Sequence, residues 1–212
     1  MNNASLELGG TNWAEKDASL LGYTVSDDSG RFSPQEFTFA RGSNLAATRI
    51  GKTGLIEKGR ENLLLQSNSF DTTWIRYLTT LTSNQSGYDG TLDAWLLEKS
   101  GAFASVYQNL SISGVYTYST YAKAGSYDFL ALRYRNTSNQ YRSAFFDLSN
   151  GTLGGVDSSL IGHSIEDVGG GWYRCSMVLN DSAANQFMIY PSDVNNGIGN
   201  SGAGTIYIQD AQ

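Results

Sequence analysis

The sequence predicts an all-β protein built as an antiparallel two-sheet β-sandwich, and three observations predict it. Apolar and aromatic runs of roughly five to eight residues recur from Asn62 onward, separated by Gly, Asn, Asp and Ser clusters, which is the rhythm of short strands and turns. No stretch carries a 3.6-residue apolar period with caps, so helix is expected to be nearly absent. Several runs alternate between an apolar face and a polar-aromatic face, as strands do when one side packs on a partner sheet and the other stays open.

Taken in order, residues 1–60 read as an irregular arm or connector, serving attachment or oligomerisation. Ser26-Asp27-Asp28-Ser29-Gly30 and Gly42-Ser43-Asn44 are turn signals, and the apolar residues around them are scattered. Phe37-Thr38-Phe39 is one short strand candidate. Residues 61–212 read as the sandwich, with strands expected at 62–66, 77–82, 94–99, 105–110, 115–123, 129–135, 142–148, 163–168, 172–179, 186–190 and 205–209. In 116–123, Tyr116, Tyr118, Thr120 and Ala122 share one face, and Thr117, Ser119, Tyr121 and Lys123 the other. Ala144, Phe146 and Leu148 form the apolar face of their strand. Tyr173, Cys175 and Met177 point to the core of theirs, with Trp172, Arg174 and Ser176 opposite. Pro34 and Pro191 are expected outside strand interiors, because proline cannot donate to the ladder.

Composition narrows the function class. Charged residues are only 16% of the 212, below the roughly 25% usual for globular chains, while 40% hydrophobic residues suffice for a core. A net charge of −6 and a pI near 4.7 supply no basic face for phosphates, which argues against a nucleic-acid or anionic-membrane partner. No run of about 18 apolar residues is present, so no membrane-spanning helix is expected. Met1-Asn2-Asn3-Ala4-Ser5 lacks the regions of a signal peptide. The single cysteine, Cys175, cannot make an intrachain disulfide and reads as a small buried filler.

The segment Asn62-Leu63-Leu64-Leu65-Gln66-Ser67-Asn68-Ser69-Phe70-Asp71-Thr72-Thr73-Trp74 resembles the opening of jelly-roll, carbohydrate-binding-module-like domains of bacteriophage tail and fibre proteins. The likeness continues through Asp89-Gly90, Ala94-Trp95, Tyr116 to Gly125, Phe146-Asp147-Leu148-Ser149-Asn150-Gly151, Gly171-Trp172-Tyr173-Arg174-Cys175, and Ile206 to Gln212. Phe37 to Ser43 and Gly54-Leu55-Ile56-Glu57 resemble the segment that often precedes such domains. The resemblance implies a jelly-roll sandwich, a virion or extracellular location, contacts with other virion proteins, and a homo-oligomer, a trimer as in many fibres. Family members continue beyond Asp210-Ala211-Gln212, so the chain is expected to be a fragment.

The parts of an enzyme are scarce. His163 is the only histidine, so a Ser–His–acid triad would have to use it, and an edge position explains it better. No Cys/His cluster offers a zinc site. Gly169-Gly170-Gly171 lacks the Lys-Ser/Thr of a phosphate loop and reads as a tight turn. Among Glu98, Asp147, Glu166 and Asp167, nothing marks an acid held neutral, and the adjacent Glu166 and Asp167 point to opposite faces. No catalysis is expected.

Binding chemistry is better supplied, by 13 Tyr, 4 Trp and 9 Phe. Flat rings stack on the C–H faces of sugars, and amide, carboxylate and guanidinium groups fork onto their hydroxyls. The candidate glycan-contacting residues are Tyr88, Trp95, Tyr107, Tyr121, Arg133, Arg135, Tyr141 and Trp172. No cofactor is required. The resemblance implies a structural calcium tying the first loop to the last strand, with Asp71 and Asp210 as candidate ligands. Three functions stay open: a non-catalytic phage module binding host-surface or extracellular polysaccharide weakly and in many copies, a purely structural fibre or capsid-decoration domain, and an accessory module of a polysaccharide-degrading enzyme.

Overall fold

The computed structural model describes residues 62–212 continuously and, before them, five short strands only. The chain divides into two compact units, Met1–Glu61 and Asn62–Gln212. In the first, β1 (Glu15–Lys16), β2 (Ser19–Val25) and β3 (Phe32–Glu36) form a three-stranded antiparallel sheet, and β4 (Thr48–Ile50) pairs with β5 (Ile56–Lys58). The arm thus holds regular pairings where an irregular segment was expected. Phe37-Thr38-Phe39 lies outside the described residues.

The second unit is all-β, with no helix among the described residues. Its strands are β6 (Ile75–Tyr77), β7 (Thr79–Gln85), β8 (Ala94–Lys99), β9 (Ser105–Ala124), β10 (Phe129–Asn136), β11 (Tyr141–Asp147), β12 (Thr152–Val156), β13 (Gly162–Gly169), β14 (Trp172–Ser192) and β15 (Gly204–Gln209). All ten join one antiparallel sheet in the order β12-β11-β10-β14-β9-β15-β8-β7, with β13 on β14 and β6 on β9. The sheet becomes a sandwich because β9 and β14 run through both layers. Their first-to-last pairing carries Trp172 opposite Lys123 and, at the other end, Ile189 opposite Val106.

The fold-over is visible in a single contact. Tyr118 pairs with Met177, and Phe187 lies ten residues further along β14, about 33 Å away if the strand were flat. Instead the Tyr118 and Phe187 rings meet edge-on with centroids 5.3 Å apart. The bend is made where register shifts between Asp181 and Ala184 and again before Gln186, opposite Gly114 at φ 117°. Asp181 holds it, accepting from Ala183 N at 2.9 Å, Asn136 Nδ2 at 3.1 Å and Tyr134 Oη at 3.2 Å. Burial pushes its carboxyl up, and these hydrogen bonds outweigh burial and hold it below the ordinary range.

Layer one therefore reads β12-β11-β10-β14-β9-β6, and layer two β13-β14-β9-β15-β8-β7. Between them lies the core, with Leu130, Leu132, Tyr134 and Phe146 from layer one against Leu97, Tyr118, Cys175, Met177, Ile206 and Ile208 from layer two. The alternation read in 116–123, 143–148 and 172–178 is the observed one for Tyr118, Thr120, Ala122, Ala144, Phe146, Cys175 and Met177. Burial pushes the Cys175 thiol up, as a filler's should be. The Tyr118 hydroxyl is buried with no hydrogen-bond partner among the described residues. Tyr118→Phe is expected to raise stability by about 1 kcal/mol by removing an unmet donor. A urea midpoint lower than wild type would contradict this.

Four expectations fail, the first being that β9 and β14 each run through what read as two strands, 105–110 with 115–123 and 172–179 with 186–190. Residues 62–66 form a loop, because the Asn62 side chain accepts from Leu64 N at 3.0 Å and Gln66 adopts φ 52°. The Gln108 side chain stands in for a strand partner, accepting from Leu65 N and donating to Leu65 O. The 77–82 strand is divided by Leu78 at φ 49°, giving β6 and β7. Both prolines sit inside strands, Pro34 in β3 and Pro191 in β14. At Pro191 the pairing with β9 has already ended at Ile189, so one side of the strand is open and a missing N–H there costs no ladder bond.

Candidate functional site

The outward face of layer one collects four of the eight sequence-predicted residues. Cross-strand register builds it rung by rung. Ile75, Tyr107, Met188, Arg133 and Ser143 form one rung, and Asn109, Gln186, Arg135 and Tyr141 the next. A neighbouring rung runs through Tyr190, Ala131 and Phe145. Most of these positions alternate with core residues, among them Trp74, Val106, Leu130, Leu132, Tyr134, Ala144, Phe146, Phe187 and Ile189. The sandwich core thus fixes which side chains face outward.

The face has a firm floor. Ala131, Phe145, Met188, Tyr190 and Ile198 make a second apolar cluster, with Tyr107 packed on it. Above this floor the Arg133 guanidinium lies 4.2 Å from the Tyr141 ring centroid and 5.9 Å from that of Tyr190. Stacking on a ring engages a flat face of the cation and leaves its in-plane N–H groups for hydrogen bonds, and the Tyr190 hydroxyl lies within reach of them. Gln186 Nε2 donates to Asn109 Oδ1 at 3.0 Å, presenting a paired amide rung beside Arg135. Tyr141 is 39% exposed and Tyr77 52%, so aromatic rings stand open at both margins of the face.

The other four predicted residues lie elsewhere. Trp95 is core, 8% exposed, with its indole donating to Asn68 O at 2.9 Å. Trp172 points outward from layer two but is 3% exposed, beside Tyr207. Neither can present a ring to a sugar. Tyr88 and Tyr121 stack on each other on layer two, with centroids 3.8 Å apart and planes 10° from parallel. Burial, then Tyr121 and Asp210 beside it, push the Tyr88 phenol above its ordinary value. A cavity of about 220 Å³ lined by Gln85, Ser86, Lys123 and Tyr207 also lies on layer two, away from the tyrosine–arginine face.

Sequence reasoning missed Tyr77, Asn109, Gln186, Met188 and Tyr190. The signal was present in 186–190, where Gln186, Met188 and Tyr190 alternate with Phe187 and Ile189.

The residues present do not fit a calcium ion between the first loop and the last strand. Hydrogen bonds already make that tie: Asn62 Nδ2 to Ala211 O at 3.1 Å, Ala211 N to Ser67 O at 2.9 Å, and Asp210 N to Asn68 Oδ1 at 3.3 Å. The loop carbonyls of Gln66 and Asn68 are taken by the indoles of Trp74 and Trp95. Asp71 is exposed. The Asp210 carboxylate accepts from Tyr88 Oη at 3.2 Å, and burial raises its pKa. No three His, Cys, Asp or Glu side chains among the described residues cluster as metal ligands. Chelation with EDTA is expected to leave the melting temperature unchanged; a fall of several degrees would place a cation here after all.

No protein-family model matches the chain, and no curated protein matches it. Among solved structures it is similar to the CBM22-1–GH10 modules of Clostridium thermocellum endo-1,4-beta-D-xylanase 10B, complexed with xylohexaose. The identity is 17% and the TM-score 0.42, over 69% of this chain and 26% of that one. It is also similar to the enzymatically active domain of bacteriophage CBA120 tailspike protein 4, at 11% identity and TM-score 0.41, over 71% of this chain and 21% of that one.

Proposed function

We propose that the 62–212 unit is a non-catalytic module that binds glycans through the outward face of layer one. The observation that carries the reading is the Arg133 guanidinium laid on the Tyr141 ring above an apolar floor, with Arg135 one rung away. Exposed tyrosine rings offer platforms for the C–H faces of sugars, and the fork of each arginine offers donors to oxygens. The landmark resemblance described above supports a virion setting, host-surface or extracellular polysaccharide as ligand, and several copies in an oligomer. A shallow face binds weakly on its own, and repetition raises the effective affinity.

Affinity electrophoresis through gels containing neutral and acidic bacterial polysaccharides tests this. Wild type is expected to be retarded by at least one of them, and Tyr107→Ala/Tyr141→Ala to migrate freely while keeping its β-sheet circular-dichroism spectrum. Unretarded migration of wild type across the whole panel would remove the glycan reading. A second reading, a contact face for a neighbouring virion protein, is favoured by exposed Ile75 and Tyr77 at the margin of the same face. It predicts no retardation, together with saturable capture of a virion protein that the same double substitution abolishes.

A further inference from the structure

We infer that the glycan received by this face is acidic, with a sugar carboxylate bound between Arg133 and Arg135; the inference rests on the glycan-binding reading. The two arginines stand two residues apart on β10 and so on the same side of the sheet, about 7 Å from each other along the strand. The Nε atoms of both are buried without a hydrogen-bond partner among the described residues, and neither forms an ion pair with a described Asp or Glu.

Among the described residues, the surrounding face supplies no counter-charge. The one carboxylate at an outward position of the layer-one strands β6, β9, β10, β11 and β14 is Asp147, which pairs with Phe129 at the far end of β10. It is occupied there by Ser149 and Asn150, which donate to it at 2.7 to 3.0 Å. Arg142, by contrast, belongs to the opposite side of β11 and has its acid, Asp157, at 3.5 Å. Two partly buried cations without an anion are costly to keep. A planar carboxylate matches a guanidinium edge with two parallel hydrogen bonds, which a neutral hydroxyl cannot do. The chain's net charge of −6 does not oppose this, because charges beyond about 8 Å are screened at physiological salt.

The probes are hyaluronan, polygalacturonate and polysialic acid, each beside its carboxyl-reduced derivative, with xylan and β-glucan as neutral polymers. Binding to at least one acidic polymer is expected, weakened about tenfold or more by carboxyl reduction and equally by Arg135→Gln. Arg133→Lys, which keeps the charge and loses the fork, should weaken it too, with the circular-dichroism spectrum intact in both variants. Binding of the reduced or neutral polymers as tight as that of the acidic ones, or indifference to Arg135→Gln, overturns the acidic assignment and leaves the glycan reading standing. No binding to any polymer overturns both.

Discussion

Phe70→Ala is expected to lower stability by about 4 kcal/mol, the loss typical of a large aromatic cut from a packed interior, and the melting temperature by roughly 10 °C. Phe70 is fully buried and joins two indoles, with its centroid 4.9 Å from that of Trp74 and 6.4 Å from that of Trp95. Both indoles donate to carbonyls of the loop that carries Phe70, Trp74 to Gln66 and Trp95 to Asn68. Removing the ring therefore opens a cavity and also loosens the loop that seals this part of the core. Urea unfolding followed by tryptophan fluorescence checks it. A loss below about 1 kcal/mol would mean that the loop does not close over the core as described.

Gly125→Ala is expected to cost about 3 kcal/mol, the upper end for overpacking, because the added methyl meets backbone rather than a yielding side chain. A Cβ at Gly125 would stand 2.5 Å from the Thr205 carbonyl oxygen and 2.5 Å from its hydroxyl. The corner between β9 and β10 is clamped on Thr205 at this point. Tyr127 N donates to Thr205 O at 3.0 Å, Ser126 N to Thr205 Oγ1 at 3.1 Å, and Thr205 N to Ser126 Oγ at 2.9 Å. The methyl must break part of this clamp or push β15 away from β9. Differential scanning calorimetry reads the loss directly, and an unchanged transition would show that the approach of the two segments is looser than 2.5 Å. The same contact gives a physical reason for glycine at one of the landmark positions, the end of Tyr116 to Gly125.

Alternation made much of this fold readable. In 116–123, 143–148 and 172–178 most polar residues recur at every second place, so the core-facing side could be named from the letters alone. What alternation cannot reveal is whether a break in the pattern ends a strand or bends it. Gly114 and the Asn180-Asp181-Ser182 stretch look like turns, and both act as bulges inside strands of 20 and 21 residues. Leu63-Leu64-Leu65 looks like a strand, yet side-chain amides of Asn62 and Gln108 satisfy its backbone and hold it as a loop. The site follows the same logic. Tyr107, Arg133, Arg135 and Tyr141 lie at alternating polar positions, and the structure places them on one face. Trp172 faces outward, as its alternation predicts, but is covered beside Tyr207, and Trp95 packs into the core; how far a neighbour covers a ring is not legible in the letters.

The shared strands β9 and β14 leave the sandwich no seam. In a sandwich of two separate sheets, one sheet could detach while the other survived, and a partly open species would present bare edges for aggregation. Here any strand-by-strand peeling of layer one reaches chain segments whose other halves are locked in layer two. Amides of Leu132 and of Met177, in opposite layers, should therefore exchange with solvent hydrogen through one common global opening and share a single protection free energy.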